Sequence, residues 1–358
     1  MTFPSSGPAR AAIVGTGLIG ASIGLALRAH GWHVSGIDAD ERRAKEALAH
    51  GALDEVGPDA AAAITFVATP VSSVASLARR ALAAGAGVVT DVGSVKGPIV
   101  AAVASPRFIG GHPMAGSEQE GLEGAAAELF VGATWVLTPT EATDADAYAT
   151  VRSVVSTLGA EVVATSPDRH DALVALVSHV PHLVAATLMG LAAEGAEEHA
   201  LLLRLAAGGF RDMTRIAAGH PGIWPDICAE NRTAIVGALD TLLGALAGMR
   251  HVVDAGDRAG LLRALEAARA ARTNLPTAVA HPENLLEVRV PVADRPGVLA
   301  EVTTLAGELA VNIADLEIAH SAEGERGVLL LVVDAQDAER LRLALVERGY
   351  RPSTNPLS

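Results

Sequence analysis

Four short runs hold residues able to do chemistry. In Gly110-Gly111-His112-Pro113-Met114-Ala115-Gly116-Ser117-Glu118 an imidazole follows paired glycines, which permit close approach of backbone to a ligand, and precedes a proline that fixes one backbone angle. An imidazole held this way suits a general base near neutral pH, with activity falling as His112 protonates at a pKa of roughly 6.5. Asp91-Val92-Gly93-Ser94-Val95-Lys96-Gly97-Pro98 is a second such loop. Ser94 there either caps a helix or orients the His112 ring. Ser178-His179-Val180-Pro181-His182 places two histidines at i and i+3 without a third ligand at metal spacing, so they read as substrate-site or buried histidines and no metal site is expected. In Gly208-Gly209-Phe210-Arg211-Asp212-Met213-Thr214-Arg215-Ile216 the two arginines at i and i+4 share a helix face. They form either a fork for carboxylates or a solvated charged face.

The elements that must position these residues begin with a dinucleotide fingerprint. The apolar strand Ala11 to Val14 runs into Gly15-Thr16-Gly17-Leu18-Ile19-Gly20, which opens a helix. Strand, glycines and helix in this order suit a tight turn, close approach of a pyrophosphate and an anion site at the helix N-terminus. A second strand, His33 to Ile37, ends at Asp38, placed to accept hydrogen bonds from an adenosine ribose and to favour NAD over NADP, with Arg42 and Arg43 nearby. Strand and helix go on alternating through Ile64 to Ala68, the turn Thr69-Pro70, Val88 to Thr90, the strand ending at Ile109, Thr134 to Leu137 and Ala160 to Ala164. The pattern is a doubly wound α/β sheet with Ser94 and His112 on loops at its carboxyl edge, where such sheets bind ligands.

After Pro167 only helix-period apolar patterns appear, as far as Arg272. From Leu285 the order changes to strand, helix, strand, strand, helix, a ferredoxin-like unit with its closing strand short or absent near Tyr350 to Pro352. The expected organisation is a dinucleotide-binding domain over 9–166, a helical domain over 167–272, a linker over 273–284 and an α+β module over 285–353.

Composition narrows the classes. The chain has 358 residues, 50% of them hydrophobic, and a formal charge of −14. That charge argues against a nucleic-acid partner, which would demand a basic face. A lone Cys228 fits a reducing compartment, and the N-terminus lacks the pattern of a signal peptide, so a cytoplasmic location is expected. The most apolar stretch, Ala172 to Ala193, is interrupted by Ser178, His179, Pro181 and His182 and reads as a buried helix rather than a membrane span. Of 27 basic residues only Lys45 and Lys96 are lysines. Lys96, inside a glycine-rich loop, is therefore not read as ordinary surface charge.

Taken together, GTGLIG at Gly15, ATPV at Ala68, DVGSVKG at Asp91, GGHPMAGSE at Gly110, SHVPH at Ser178 and GGFRDMTRIA at Gly208 resemble the prephenate dehydrogenase family from about Ala11 to Met249. DRPGVL at Asp294 and VNI at Val311 resemble an ACT regulatory domain. The resemblance implies NAD as cofactor and oxidative decarboxylation of prephenate. His112 would take the hydroxyl proton as the hydride leaves C4, with Ser94 as its hydrogen-bond partner. Arg215 would bind the ring carboxylate, with Arg211 next in line. It further implies Ser117, Glu118, His179 and His182 around the substrate, Trp224 reaching it from the other subunit of a homodimer, and a tyrosine or phenylalanine effector near Asp294, Pro296, Gly297, Val298, Leu299 and Asn312. Arogenate dehydrogenase shares the ring chemistry and stays open from sequence. A related β-hydroxyacid or imine reductase and a non-catalytic NAD-linked amino-acid sensor are the more distant readings.

Overall fold

The computed structural model describes residues 8–116, 121–198, 202–273, 285–293, 295–320 and 326–356. Its larger sheet is built from β1 (Arg10–Val14), α1 (Leu18–Ala29), β2 (His33–Ile37), α2 (Glu41–Ala49), β3 (Glu55–Val56), β4 (Ile64–Val67), α3 (Val71–Ala84), β5 (Val88–Asp91), α4 (Gly97–Val103), β6 (Phe108–Pro113), β7 (Thr134–Thr138), α5 (Ala145–Thr157) and β8 (Glu161–Ala164). The strand order is β3-β2-β1-β4-β5-β6-β7-β8. The order in which strands are added reverses between the parallel neighbours β1 and β4, the switch point at which open sheets of this kind take their ligands. The core alternates along the strands, with Ile13, Ile64, Phe66, Ile109, Trp135 and Leu137 fully buried.

Two features of the sheet depart from the expectation. β7 pairs antiparallel with β6, and β8 runs parallel to β7, so the last two strands oppose the other six. The chain between β6 and β7 contains short 3₁₀ turns rather than a crossover helix, and without a crossover it folds back antiparallel. This pairing extends β6 through Pro113, with His112 opposite Val136. His112 therefore sits in the last part of a strand, not on a loop.

The helical segment comprises α6 (Pro167–Val174), α7 (Val180–Glu198), α8 (Gly208–Thr214), α9 (Trp224–Glu230), α10 (Arg232–Asp254) and α11 (Arg258–Thr273). Ser166 caps α6, accepting from the Arg169 amide at 3.3 Å, with Pro167 in the first turn. Between α6 and α7 the backbone takes a π-helical turn over Ala175–His179. Pro181, just beyond, has no N–H to return to the preceding turn, and the wider turn absorbs that mismatch. Contacts divide the chain into two compact units at residues 250 and 251, inside α10. The first unit thus holds the sheet together with most of the helices, packed through Val95, Ala175, Ile227 and Ile235.

In the second unit β9 (Leu285–Ala293), α12 (Val298–Glu308), β10 (Ile313–His320), β11 (Arg326–Asp334), α13 (Ala335–Glu347) and β12 (Ser353–Pro356) form an antiparallel sheet ordered β10-β11-β9-β12. This is the ferredoxin-like βαββαβ arrangement, and its closing strand is present, three residues beyond the Tyr350 region, paired to β9. Most of the expected linker, 274–284, lies outside the described residues.

Candidate active site

The nucleotide crevice at the switch point is formed by close backbone packing. Gly15 takes a left-handed φ of +96°, and a Cβ there would stand 2.2 Å from the Ala68 carbonyl oxygen. A Cβ on Gly20 would fall 1.9 Å from the Gly15 carbonyl oxygen, so helix and turn meet only because both residues lack side chains. Asp38, at the end of β2, braces the turn by accepting from the Thr16 amide at 2.8 Å and the Thr16 hydroxyl at 3.2 Å.

Three observations fit this crevice to a dinucleotide. A Cβ on Gly17 would meet open space, and α1 begins there with neither a side-chain cap nor an acidic residue in its first turn. The N-terminus therefore keeps its partial positive charge for an anion. The Thr69 hydroxyl, buried at the end of β4, has no partner among the described residues. Leu18 and Ile19 start the helix behind this anion site, and Pro70 opens α3 opposite it. Arg42, which could have marked a 2′-phosphate, pairs with Asp40 at 3.0 Å. Gly20→Ala is expected to weaken NAD binding at least about tenfold, some 1.4 kcal/mol, because the Gly15 carbonyl must move. Calorimetric titration with NAD checks this, and an unchanged affinity would show that the turn tolerates the methyl group.

The His112 ring is held from the helical segment. Its Nδ1 lies 2.9 Å from His170 Nε2, and His170 Nδ1 lies 2.8 Å from Asp171 Oδ1. Asp171 in turn accepts from the backbone amides of Lys96 at 2.7 Å and Gly97 at 2.8 Å, capping the start of α4. The Asn231 amide group donates to the Asp171 carbonyl at 2.9 Å and stands 3.2 Å from His179 Nδ1. His179 stands edge-on to Trp224, and Trp224 stacks on His182 with ring centroids 3.7 Å apart. A single run of contacts therefore connects His112 to His182.

Below the His112 strand lies a fully buried ion pair. Lys96 Nζ donates to Asp91 Oδ2 and, at 2.8 Å, to the Gly111 carbonyl. Asp91 also accepts from the amides of Gly93 at 2.9 Å and Gly111 at 3.1 Å. Gly110 and Gly111 prove to be glycines because strand meets protein, not ligand. Cβ atoms there would come within 2.4 Å of the Thr138 hydroxyl and 2.6 Å of the Asp91 carbonyl.

Burial, reinforced by the neighbouring His170, Lys96 and His179, holds the His112 pKa well below the usual imidazole value. Burial likewise brings His179 down to about 4 and lowers His182. A depressed pKa favours the neutral form of the His112 ring at neutral pH. This corrects the acid limb expected near pH 6.5. Protonation removes the base, and a depressed pKa postpones protonation to lower pH, so kcat should stay flat as pH falls through about 6.5 and drop only below it. A pH profile with its acid limb at 6.5 or above would contradict the depression.

Several expected roles look different in three dimensions. His112 Nδ1 is bonded to His170, and Ser94, half-buried on the neighbouring loop, has no hydrogen bond to His112 among the described residues. His179 is almost entirely buried, bonded to Asn231, with its Nε2 unpartnered among the described residues. Trp224 stacks on His182 of its own chain. Arg211 and Arg215 do not share one continuous helix. α8 ends at Thr214, whose hydroxyl bonds back to the Phe210 carbonyl at 2.8 Å, and Arg215 opens a 3₁₀ turn. Both arginines are exposed, and this turn is followed by Gly219, which lies against His182. Ser117 and Glu118 lie outside the described residues, as does Asp294. In the second unit Gly297, Val298 and Leu299 line a cavity of about 180 Å³ together with Arg295, Ile318 and Leu329, whereas Pro296 and Asn312 are exposed outside it. His170, Asp171, Asn231 and Asp91 are the site residues that the sequence reading did not single out.

Family models described as the prephenate dehydrogenase nucleotide-binding domain and dimerization domain match residues 23–164 and 166–267. The chain belongs to the prephenate dehydrogenase family. It is 33% identical to the prephenate dehydrogenase of Bacillus subtilis (strain 168), over 91% of this chain and 92% of that one. Among solved structures, prephenate dehydrogenase from A. aeolicus, in complex with hydroxyphenyl propionate and NAD+, matches with a TM-score of 0.71 and 29% identity, over 76% of this chain and all of that one. Arogenate dehydrogenase from Synechocystis matches with a TM-score of 0.65 and 32% identity, over 74% and 98%. The relatives thus include both prephenate and arogenate dehydrogenases.

Proposed function

We propose that this chain is an NAD-dependent dehydrogenase that converts prephenate to 4-hydroxyphenylpyruvate and CO2 in tyrosine biosynthesis. The observation that carries the reading is a half-buried His112, its pKa depressed and its ring anchored through Nδ1, on the sheet whose switch point carries the dinucleotide crevice. When bound, the nicotinamide supplies the hydride acceptor. The Gly15–Gly20 turn and the start of α1 would hold the pyrophosphate, Asp38 the ribose, and Thr69 and Pro70 the far wall. His112 accepts the 4-hydroxyl proton, which lets the C4–H bond electrons leave as hydride and the ring lose its carboxylate as CO2. Aromatisation drives the step. Ser94, Ser117, Glu118 and His182 surround the substrate in this reading.

Arg215 is assigned to the ring carboxylate. Arg215→Ala is expected to raise KM about 10–100-fold with kcat little changed, the worth of one charge-assisted bond. A normal KM would pass the role to Arg211.

The near end-to-end match to the B. subtilis prephenate dehydrogenase favours prephenate over arogenate. Offering each substrate separately, with NAD and then NADP, and following reduction of the nucleotide tests the reading. Turnover of prephenate with NAD supports it. Turnover of arogenate alone makes the chain an arogenate dehydrogenase, and turnover of neither, by folded protein that binds NAD, leaves the non-catalytic amino-acid sensor.

The functional domains in this reading are 9–166, 167–272 and 285–353, joined by the linker 273–284. The helical segment serves a cytoplasmic homodimer. Leu173, Leu176, Val177 and Leu191 on α6 to α7 and Val236, Leu243 and Leu246 on α10 are exposed apolar side chains in a single chain, the condition a second copy would relieve. Two helical stretches here, Pro167–Gly195 and Arg232–Asp254, are also long and apolar enough to cross a membrane, and the dimer accounts for them without one. The 180 Å³ cavity behind Gly297 is the place for an ACT-type effector, tyrosine or phenylalanine.

A further inference from the structure

We infer that Asp171 and His170 are positioning residues that lock His112 in the tautomer with its proton on Nδ1, leaving the Nε2 lone pair as the proton acceptor. The inference rests on the reading of His112 as base and assigns its proton inventory atom by atom. Asp171 Oδ1 lies 2.8 Å from His170 Nδ1, and an ionised carboxylate only accepts, so His170 carries its proton on Nδ1. With one proton on each ring, His170 Nε2 is bare and can only accept. His112 Nδ1, 2.9 Å from that nitrogen, must therefore be the donor. A neutral ring holds a single proton, which leaves His112 Nε2 unprotonated.

The chain of bonds is firmly built. His170 and Asp171 are 1% and 7% exposed, and Asp171 cannot swing away without abandoning the Lys96 and Gly97 amides that it caps. The groups facing His112 are arranged with the same polarity. Burial first, then His170, Lys96 and His179, raise the cost of positive charge on His112, while the carboxylate of Asp171 stands behind His170. When Nε2 takes the substrate proton, Nδ1–H keeps donating to His170, and the new charge is drawn toward Asp171 through that bond. An imidazole stands here between base and carboxylate, so the anchoring carboxylate is one residue further from the reacting atom than in a direct carboxylate–histidine pair.

The direct test is ¹⁵N NMR of histidine-labelled wild-type protein without substrate, which reports the protonated nitrogen of each ring. The expected result is His112 protonated on Nδ1 and His170 protonated on Nδ1. A His112 protonated on Nε2 overturns the inference. His170→Phe, which removes the acceptor, is expected to release the tautomer and lower kcat by about 10²–10⁴ with KM little changed. His170→Gln returns an acceptor oxygen and should recover at least about tenfold of that loss together with the Nδ1–H signal. Glutamine that performs no better than phenylalanine, in protein whose spectrum shows it folded, also overturns the inference. The wild-type spectrum requires no turnover, so a chain that turned over neither substrate would end the proposed function and leave the tautomer assignment to stand or fall by itself.

Discussion

His112→Asn is expected to lower kcat by about 10²–10⁴ and to leave KM within a few-fold of the wild type. Asparagine keeps a polar side chain on the strand but offers no basic nitrogen, so the 4-hydroxyl proton has no acceptor when the hydride leaves. Substrate affinity should survive because the proposed carboxylate partner, Arg215, lies elsewhere, on the turn after α8. NAD affinity should also survive, since the Gly15 turn and its brace at Asp38 share no hydrogen bond with His112. The expected signature is a loss confined to kcat. An unchanged kcat would remove His112 from the reaction, and a rise in KM equal to the fall in kcat/KM would make it a binding residue.

Lys96→Met should be the costliest single change to stability, about 3–5 kcal/mol, because it strips the buried Asp91 carboxylate of its only cation among the described residues. Taking roughly 2–4 °C per kcal/mol for a unit of this size, the melting temperature should fall by about 6–20 °C. Adding Asp91→Asn should not restore it fully, since the Gly93 and Gly111 amides need the acceptors that Asp91 supplies. Lys96→Arg should fail as well. The space is fully enclosed, and a planar guanidinium cannot replace a compact ammonium that donates to both Asp91 and the Gly111 carbonyl. Thermal unfolding of the three variants decides the matter. An unshifted midpoint for Lys96→Met would show that the pair contributes nothing to the fold. A chain that uses arginine for 25 of its 27 basic residues has kept lysine where shape excludes arginine.

The parts that were legible from sequence were those written locally. GTGLIG follows a strand and opens a helix within a few residues, and Gly15 and Gly20 answer to close backbone contacts with Ala68 and with Gly15 itself. The core strands are short β-branched runs bounded by turns, and the structure places most of them within a residue or two of expectation; β6 is the exception, running four residues past Ile109 because β7 pairs with its end. His170 and Asp171 were not legible because their meaning depends on a strand 58 residues away. In sequence they follow Pro167-Asp168-Arg169 and look like the charged first turn of a surface helix, where acidic residues are ordinary. A histidine beside an aspartate at the start of a strongly apolar helix was the available signal. Asn231 is equally inconspicuous, one polar residue between two helices. The closing strand, Ser353-Thr354-Asn355-Pro356, has little strand propensity of its own and forms because β9 offers it an edge. The break at Thr214 depends on a hydroxyl rotamer that spacing alone does not reveal.

The capping of α4 by Asp171 has a consequence for how this protein can be recombined. The sheet supplies His112 and the helices supply the His170–Asp171 pair that holds it, and the same carboxylate that holds His170 also fastens the Lys96 and Gly97 amides, while Ser72 of α3 donates to Asp226 of α9 at 2.5 Å. A chimera spliced near residue 166, with its two halves drawn from different relatives, inherits its chemistry from neither parent alone. Such a hybrid should bind nucleotide whenever its first half folds, and it should turn over substrate only when its second half carries the histidine–aspartate pair at the matching height along the helix.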